Sequence, residues 1–320
     1  MASIINELKS KIEGKGLKIV FPEANDDRII EAAIRLEDEG LVKPILIGKK
    51  EDVSNKFDVS DCVFIDPLNN DLFEEMVQAF VERRKGKNTE KQARTMLLDE
   101  NYFGTMLVYM GLADGLVSGA CHSTGDTVRP ALQIIKTKPG VSKTFGYFLM
   151  VRDEIKYIFG DCAINPNPTA ENLAEFAIES AKAAEMFGIT PKVAMLSFST
   201  NGSADTEETQ KVVEAAKIAK AQNSGYEIDG EMQFDAAFVP SVGAKKYPGS
   251  SVAGNANTFI FPDLNSGNIG YKIAQRLGNF EAMGPILAGL NKPVNDLSRG
   301  CDSEDAYNTA IITAAQALIK

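Results

Sequence analysis

Apolar and polar positions follow two rhythms in the first fifty residues. Short apolar runs at 17–23 (LKIVFPE) and 43–48 (KPILIG) are typical of buried strands. Between them, apolar residues recur at the 3.6-residue spacing of a helix, with Asn25 or Asp26 as its cap and Gly40 as its stop signal. A strand–helix–strand unit of this kind predicts a parallel sheet with right-handed crossovers.

The pattern continues to the C-terminus with one interruption. Two apolar runs at 144–153 and 156–164, with a turn near Asp153 and Glu154, predict a hairpin and the entry to a second domain. We therefore expect two α/β domains, formed by residues 1–143 with 294–320 and by residues 144–293. Further strands are predicted at 63–66, 114–121 and 234–240, and at the start of 192–204 and of 257–278. Helices are predicted at 71–81 and 90–99, joined by a basic turn at 83–88, before Gly188, and at 304–319.

Composition and charge restrict the class of protein. The 320 residues are 44% hydrophobic and carry a net charge of −10, which argues against nucleic acid or an anionic membrane as the main partner. No apolar run has transmembrane length, and MASIINELKS does not resemble a signal peptide, so we expect a cytoplasmic protein. A single histidine, His122, and four cysteines without CxxC spacing argue against a metal site and against a disulfide framework.

A polar loop follows the strand predicted at 114–121. Its sequence, HSTGDTVRP, places Ser123, Thr124 and Gly125 between a strand and a helix start, an arrangement that can hold phosphate with backbone N–H groups. The alternative is an ordinary capped helix, because no GK[ST] motif follows and no GxGxxG fingerprint is present.

The stretch NKPVNDLSRGCDSEDAYN, residues 291–308, concentrates chemistry near the C-terminus. Ser298, Arg299 and Asp305 lie within eight residues, beside helix-start signals at Asp302 and Ser303. A loop that leads into a helix N-terminus suits an anion such as phosphate. The alternative is that the acidic residues only complement the helix dipole.

Several stretches together resemble the phosphate acetyltransferase (phosphotransacetylase) family, within the phosphate acetyl/butyryltransferases. They are FPEANDDRIIEAA, ADGLVSGACHSTGDTVRPALQI, YIFGDCAINPNPTAENLAEFA, VAMLSFSTNGSA, NANTFIFPDLNSGNIGYKIAQRLG and KPVNDLSRGCDSEDAYN. The resemblance implies an α/β fold similar to isocitrate and isopropylmalate dehydrogenases, with two domains, parallel or mixed sheets and an interdomain cleft, usually in a homodimer. It implies interconversion of acetyl-CoA and phosphate with CoA and acetyl phosphate. CoA is then a substrate, and no tightly bound cofactor is expected.

The resemblance also assigns the catalytic residues. Asp305 matches the proposed base for the CoA thiol, Arg299 the residue that binds the acyl-phosphate side, and Ser298 the residue that hydrogen-bonds the reacting groups. A thiolate then attacks the acetyl carbonyl directly, within a complex that holds both substrates, and no enzyme nucleophile is needed. Cys301 is therefore expected to be structural. Aspartates ordinarily have a pKa of about 3.9 and are weak bases for thiols, so a closed, desolvated site must raise the basicity of this one.

The remaining assignments concern substrate binding. Arg129 matches an arginine that the family uses in its cleft, and Arg83 or Arg84 matches one associated with the CoA phosphates. Ser123, Thr124 and Gly125 are candidate loop donors. His122 lies beside that loop, but the sequence identifies no acidic partner for it.

Three other functions remain open at this point. A phosphate butyryltransferase would differ only in its acyl pocket. A metal- and NAD-dependent dehydrogenase of the related fold would require metal-binding aspartates and a dinucleotide pocket, which the sequence does not indicate. A non-catalytic acyl-CoA sensor would not need Ser298, Arg299 and Asp305.

Overall fold

The computed structural model of the chain describes residues 2–222 and 224–319. The chain forms two compact units. We call Ala2–Pro139 with Leu290–Lys320 the terminal unit, and Gly140–Gly289 the central unit.

Helices and strands alternate through both units. The strands are β1 (Lys18–Phe21), β2 (Lys43–Ile47), β3 (Val63–Ile65), β4 (Gly115–Ser118), β5 (Phe145–Arg152), β6 (Ile155–Gly160), β7 (Lys192–Leu196), β8 (Glu227–Met232), β9 (Thr258–Ile260), β10 (Glu281–Ala288) and β11 (Val294–Asp296). The helices are α1 (Ala2–Ile12), α2 (Asp27–Asp38), α3 (Phe73–Arg84), α4 (Glu90–Met96), α5 (Glu100–Tyr109), α6 (Thr124–Pro130, continued as a π-helix over Ala131–Ile135), α7 (Ala170–Met186), α8 (Glu207–Ala221), α9 (Phe234–Phe238), α10 (Pro240–Lys246), α11 (Leu264–Leu277) and α12 (Ser303–Ala317).

The terminal unit contains a parallel sheet with the strand order β11-β4-β1-β2-β3. Ile19, Val20 and Phe21 of β1 are fully buried, because strands covered on both faces need apolar side chains on both. Helix α12 lies close to the sheet: a Cβ on Gly115 of β4 would be 2.6 Å from the Thr313 side chain.

Small residues of the last helix pack in the core. Ala306, Ala310 and Ala314, at four-residue spacing, are completely buried. Leu318 continues this spacing but follows the end of α12 and is 40% exposed.

The central unit contains a mixed sheet with the order β10-β5-β6-β9-β7-β8. Strands β5 and β6 form the predicted antiparallel hairpin, and β10 pairs with β5 on its other edge. Strands β6, β9, β7 and β8 are parallel. The predicted α/β class with parallel and mixed sheets is confirmed.

The strand predicted at 234–240 is wrong, because this segment forms α9 and the start of α10. The neighbouring strand is β8, whose sequence EIDGEM holds three acidic residues and a glycine that strands ordinarily disfavour. Partners outside the strand stabilise its acidic side chains. The Lys220 ammonium donates to Asp229 at 2.6 Å, and the Ser199 hydroxyl and Gly202 N–H each donate to Glu231 at 2.8 Å.

The basic turn predicted at 83–88 is also partly wrong. Arg83 and Arg84 belong to the last turn of α3, where cations complement the helix dipole, and Lys85 ends the helix in the left-handed conformation at φ 49°. The helix predicted at 90–99 stops at Met96, because Asp99 caps the following helix α5 by accepting the N–H groups of Asn101 and Tyr102.

Candidate active site

Three adjacent strands of the terminal unit end at the same edge of its sheet. They are β1, β4 and β11, and the chain beyond them carries Glu23, the loop 119–123 and the turn 298–301. Strands β2 and β3 lie on the other side of β1, so the strand order reverses between β1 and β4. Open α/β sheets bind ligands outside the carboxyl ends of their strands at such a switch point.

A β-turn presents two of the predicted catalytic side chains. The Cys301 N–H donates to the Ser298 carbonyl at 2.9 Å, so Arg299 and Gly300 occupy the tip of the turn. The Ser298 hydroxyl accepts the Gly300 N–H at 3.2 Å. Ser298 and Arg299 are exposed, and within the part of the chain that is described the Arg299 guanidinium has no hydrogen bond or ion pair. This arginine is therefore available to an anion.

Asp305 lies in the first turn of α12, where the sequence left two interpretations open. Asp302 accepts the Asp305 N–H at 2.8 Å, and Asp305 Oδ2 accepts the Asp302 N–H at 3.1 Å, which is a reciprocal capping box. The carboxylate of Asp305 nevertheless remains exposed, and the cap uses only one of its oxygens. Capping and a chemical role are therefore compatible.

Backbone N–H groups do converge on an anion after β4, but the anion belongs to the chain. Glu23 Oε2 accepts the N–H groups of Gly119 and Ala120 at 3.0 and 2.9 Å, and Oε1 accepts those of Cys121 and His122 at 2.7 and 3.0 Å. The Glu23 side chain is completely buried. These four donors are therefore occupied.

Glu23 is also the acidic partner of His122 that sequence reasoning missed. The His122 Nδ1 atom lies 2.8 Å from Glu23 Oε1, and the imidazole is 27% exposed. A carboxylate in this position fixes the orientation of the ring. The available signal is the place of Glu23, two residues after a buried strand, at the edge where ligands bind.

The predicted loop donors Ser123 and Gly125 lie at the start of α6. Ser123 and Asp126 form a capping box, and the Ser123 hydroxyl donates to Asp126 at 2.7 Å. A Cβ on Gly125 would come no closer than 3.6 Å to any neighbour, so the main chain at this residue is accessible. The side chain of Arg129 is 60% exposed, and its closest acidic group is Asp126, at 3.6 Å.

Thr124 connects the loop to β11. Its hydroxyl donates to Asp296 Oδ2 at 2.6 Å, and Asp296 is only 5% exposed. Burial raises the pKa of Asp296 to about 6, although the Thr124 hydrogen bond opposes the rise, and the charge of Glu23 adds to it. Sequence reasoning missed Asp296, because the short segment VND (294–296) shows no strand pattern and resembles part of a loop.

Arg83 and Arg84 are placed differently. Arg83 donates to the carbonyls of Ile134 and Ile135 at 2.5 and 2.9 Å, which closes the end of the π-helix. Arg84 donates to the Asn88 side chain at 2.8 Å and more weakly to the Gln133 carbonyl at 3.4 Å. Within the described residues each arginine leaves one terminal nitrogen without a hydrogen bond, Nη1 in Arg83 and Nη2 in Arg84. The second bond of Arg84 is the weaker, so its guanidinium is held less firmly than that of Arg83.

A basic cluster surrounds these two arginines. Its other members are Lys85, Lys87 and Lys136, and the nearby cations, Arg83 first among them, lower the pKa of Lys136. Arg84 and Arg129 both act on Tyr102, whose pKa is raised mainly by burial and lowered by these two charges. Such a concentration of positive charge in an acidic protein suits a ligand with several phosphates.

A polar cavity of about 340 Å³ adjoins the loop 119–123. Its lining includes residues that follow β1 and β2, two residues of the loop and the first residue of α5: Ala24, Asn25, Lys49, Cys121, His122 and Glu100. Of the four cysteines, only Cys121 is exposed.

An exposed arginine, serine and carboxylate at the carboxyl edge of a parallel α/β sheet suit the binding of an anionic substrate. The chain belongs to the phosphate acetyl/butaryl transferase family, whose model matches residues 3–314. The family inferred from the sequence motifs is confirmed.

Similar proteins extend over the whole chain. A phosphate acetyltransferase from Bacillus subtilis (strain 168) is 61% identical over 323 residues, which cover 99% of this chain and 100% of that one. The crystal structure of a phosphotransacetylase from Streptococcus pyogenes is 59% identical, with a TM-score of 0.98 and 99% of each chain covered.

A more distant structure bears on the fold alone. A putative 4-hydroxythreonine-4-phosphate dehydrogenase from Salmonella typhimurium is 14% identical, with a TM-score of 0.55 over 94% of this chain and 99% of that one. The predicted dehydrogenase-like fold is thereby confirmed. Among the helices in residues 2–222 and 224–319, none has the length and apolarity needed to cross a membrane.

Proposed function

We propose that the chain interconverts acetyl-CoA and phosphate with CoA and acetyl phosphate. The observation that carries this proposal is the turn 298–301, which presents an unpaired, exposed Arg299 and the Ser298 hydroxyl next to the first turn of α12. Relatives about 60% identical are named phosphate acetyltransferase or phosphotransacetylase, which supports the acetyl assignment.

The proposed reaction occurs in one complex that holds both substrates. Asp305 accepts the thiol proton of CoA, and the sulfur attacks the acetyl carbonyl carbon of acetyl phosphate. The carbon–sulfur bond forms, the carbon–oxygen bond to phosphorus breaks, and phosphate leaves as an anion. Arg299 stabilises the negative charge on the phosphate, because its planar fork matches two phosphate oxygens, and Ser298 donates to the reacting groups.

CoA is proposed to place its phosphates near Arg84 and Arg129. The weaker hydrogen bonding of Arg84 and the exposed guanidinium of Arg129 favour this pair over Arg83, which two short bonds hold to main-chain carbonyls. Ser123, Thr124 and Gly125, at the start of the helix that carries Arg129, are candidate contacts for the acyl-phosphate side. Because CoA is a substrate, no resident cofactor or metal is proposed, and the enzyme is expected in the cytoplasm.

The test measures phosphate-dependent release of CoA from acetyl-CoA. Arg299→Ala and Asp305→Asn are expected to lose about two orders of magnitude in kcat, the usual effect of removing one electrostatic or proton-transfer group. Ser298→Ala is expected to lose less. Two matched controls exist. Arg94→Ala removes an arginine whose ion pairs among the described residues are with Glu74 and Glu90. Asp302→Asn removes one charge from the same helix start while an N-cap side chain remains.

The results separate the roles. If Asp302→Asn and Asp305→Asn lose the same activity, the carboxylate of Asp305 acts only on the helix, and its role as the base is wrong. Comparison of acetyl-, propionyl- and butyryl-CoA tests the acyl group, and a strong preference for butyryl-CoA would contradict the acetyl assignment.

A homodimer is proposed from one face of α11. Ile269, Ile273 and Leu277 recur at four-residue spacing and are 57%, 53% and 81% exposed, so they form an apolar stripe on the central unit. A second copy of the chain is the proposed cover. Light scattering should then give twice the chain mass, and Ile273→Glu with Leu277→Glu should give monomers. Leu68→Glu, at a single apolar residue that is 74% exposed in the terminal unit, is the control.

A further inference from the structure

One arginine that has no assigned role uses its whole hydrogen-bonding capacity at the active-site turn. The Arg28 guanidinium donates from Nε and Nη2 to the Asp26 carboxylate at 2.9 and 2.7 Å, and from Nη2 to the Ala120 carbonyl at 3.0 Å. Its Nη1 atom donates to the carbonyls of Arg299 and Cys301 at 3.0 and 2.8 Å. The five contacts account for all five N–H groups of a guanidinium.

The place of Arg28 in the sequence is unfavourable for the helix itself. It is the second residue of α2, where the helix dipole disfavours a cation. Asp26, the N-cap residue, offsets this cost, and the hydrogen bonds from Arg28 hold the pKa of Asp26 down at about 2. The pair is only partly exposed, 30% for the Arg28 side chain and 12% for that of Asp26. Helix stability therefore does not explain an arginine at this position.

The contacts of Arg28 fix the main chain on both sides of Gly300. The Arg299 and Cys301 carbonyls point towards one planar group, which sets the direction in which the Arg299 side chain leaves the turn. The Ala120 contact joins the same group to the loop whose N–H groups bind Glu23. Helix α2, the loop 119–123 and the turn 298–301 are thus held together by one side chain.

We propose that Arg28 is a positioning residue for acyl transfer, because its guanidinium clamps the turn 298–301 against the loop 119–123 and so aims Arg299 at the substrate phosphate. This inference rests on the proposed function. Lysine cannot replace arginine in the clamp, since an ammonium has three donors and no planar fork, whereas five acceptors surround this site.

The clamp predicts a specific kinetic pattern. Arg28→Lys and Arg28→Gln should lower kcat and raise KM for phosphate and acetyl phosphate, so that kcat/KM for these substrates falls roughly 10- to 100-fold, the scale of a misplaced substrate-binding group. KM for CoA should change less than threefold, because the basic cluster around Arg84 does not contact Arg28. In Arg28→Ala, added methylguanidinium should restore activity, and methylammonium at the same concentration should not.

A matched control lies on the same helix. Arg35 also connects α2 with α12, through an ion pair with Glu304 and contact with the Tyr307 ring, but it touches no atom of the turn. Arg35→Gln should therefore lower thermal stability without changing either KM. Circular dichroism of every variant separates lost folding from lost positioning.

The outcomes distinguish this inference from the proposed function. If the wild type is active and Arg299→Ala is not, but Arg28→Lys keeps kcat/KM for acetyl phosphate within twofold, the clamp is wrong and the function stands. A folded Arg28→Gln variant that loses affinity for CoA and acetyl phosphate equally, with no response of Arg28→Ala to methylguanidinium, also overturns the clamp. A wild type without turnover overturns the function and this inference together.

Discussion

Asp296 provides a quantitative test of the electrostatics at the site. It is a 5% exposed carboxyl at the end of β11, whose pKa burial raises from 3.8 to about 6. The folded protein therefore binds this proton more tightly than the unfolded chain does. The stability contributed by the protonated form is fully present below about pH 4 and is lost as the pH rises through about 6. At 1.36 kcal/mol for each pH unit between the two values, the loss amounts to about 3 kcal/mol.

Asp296→Asn should remove this loss. The asparagine stays neutral and keeps an oxygen that can accept from the Thr124 hydroxyl, as Asp296 Oδ2 does at 2.6 Å. We expect the variant to be more stable than the wild type by up to about 3 kcal/mol at pH 8 and equal to it near pH 4. Because the chain contains no tryptophan, urea unfolding is best followed by far-UV circular dichroism at several pH values between 4 and 8.

Thr124→Val is the matched control. It removes the hydrogen bond that favours the carboxylate, so the pH at which stability is lost should move upward instead of disappearing. The reasoning is refuted if Asp296→Asn is less stable than the wild type at pH 8. That result would mean that the carboxylate, and not the acid, is the form that the fold stabilises.

Three further predictions concern the same edge of the sheet. Gly119→Ala should destabilise the protein by about 2 kcal/mol or more in urea unfolding, since Gly119 has φ +118° and a Cβ would lie 2.6 Å from Asp296 Oδ1. As the control, Gly300→Ala should change the stability by less than about 0.5 kcal/mol, because an added Cβ would have no neighbour closer than 3.8 Å. Native protein should react with a thiol reagent at Cys121 alone, and slowly. Burial and the Asp26 hydrogen bond raise the pKa of this thiol from 9.0 to about 11, which lowers the thiolate fraction at pH 7.5 about 100-fold. Rapid labelling of Cys121, located by mass spectrometry, would contradict this. Glu23→Gln replaces one acceptor oxygen by a donor in front of four N–H groups. The free energy of unfolding should fall by about 1–3 kcal/mol in urea titrations. An unchanged free energy would show that the loop 119–123 does not depend on this carboxylate.

Local signals account for what the sequence predicts well. The start of α12 is readable because the cap residue and its partner, Asp302 and Asp305, are three positions apart. The β5–β6 hairpin is readable because its turn lies between two continuous apolar runs. The parallel sheet follows from strand–helix alternation, which is also a local feature.

The parts that sequence reasoning misses depend on partners far along the chain. Glu23 meets its N–H donors 96 to 99 positions away, Thr124 meets Asp296 at a separation of 172, and Arg28 meets the turn at 271 and 273. No periodicity or motif in the sequence predicts such contacts. In β8, Glu231 likewise meets Ser199 at a separation of 32, whereas the partner of Asp229, Lys220, is only 9 positions away.

If the site binds phosphate as proposed, the occupied N–H groups of the loop 119–123 restrict how it can do so. A main-chain cradle would hold an anion through neutral dipoles, but Glu23 already fills it, and an added phosphate would meet a buried carboxylate. In the proposed function, binding therefore depends on side chains and on the start of α6, and not on the N–H groups of residues 119–122. Arg28 is neutralised by Asp26, so the net positive charge at the turn is that of Arg299. In a chain with a net charge of −10, the proposed recognition of the acyl phosphate then depends mainly on one guanidinium, whose direction is set by its own main chain. It also explains why the geometry of the turn should matter as much as the presence of the arginine.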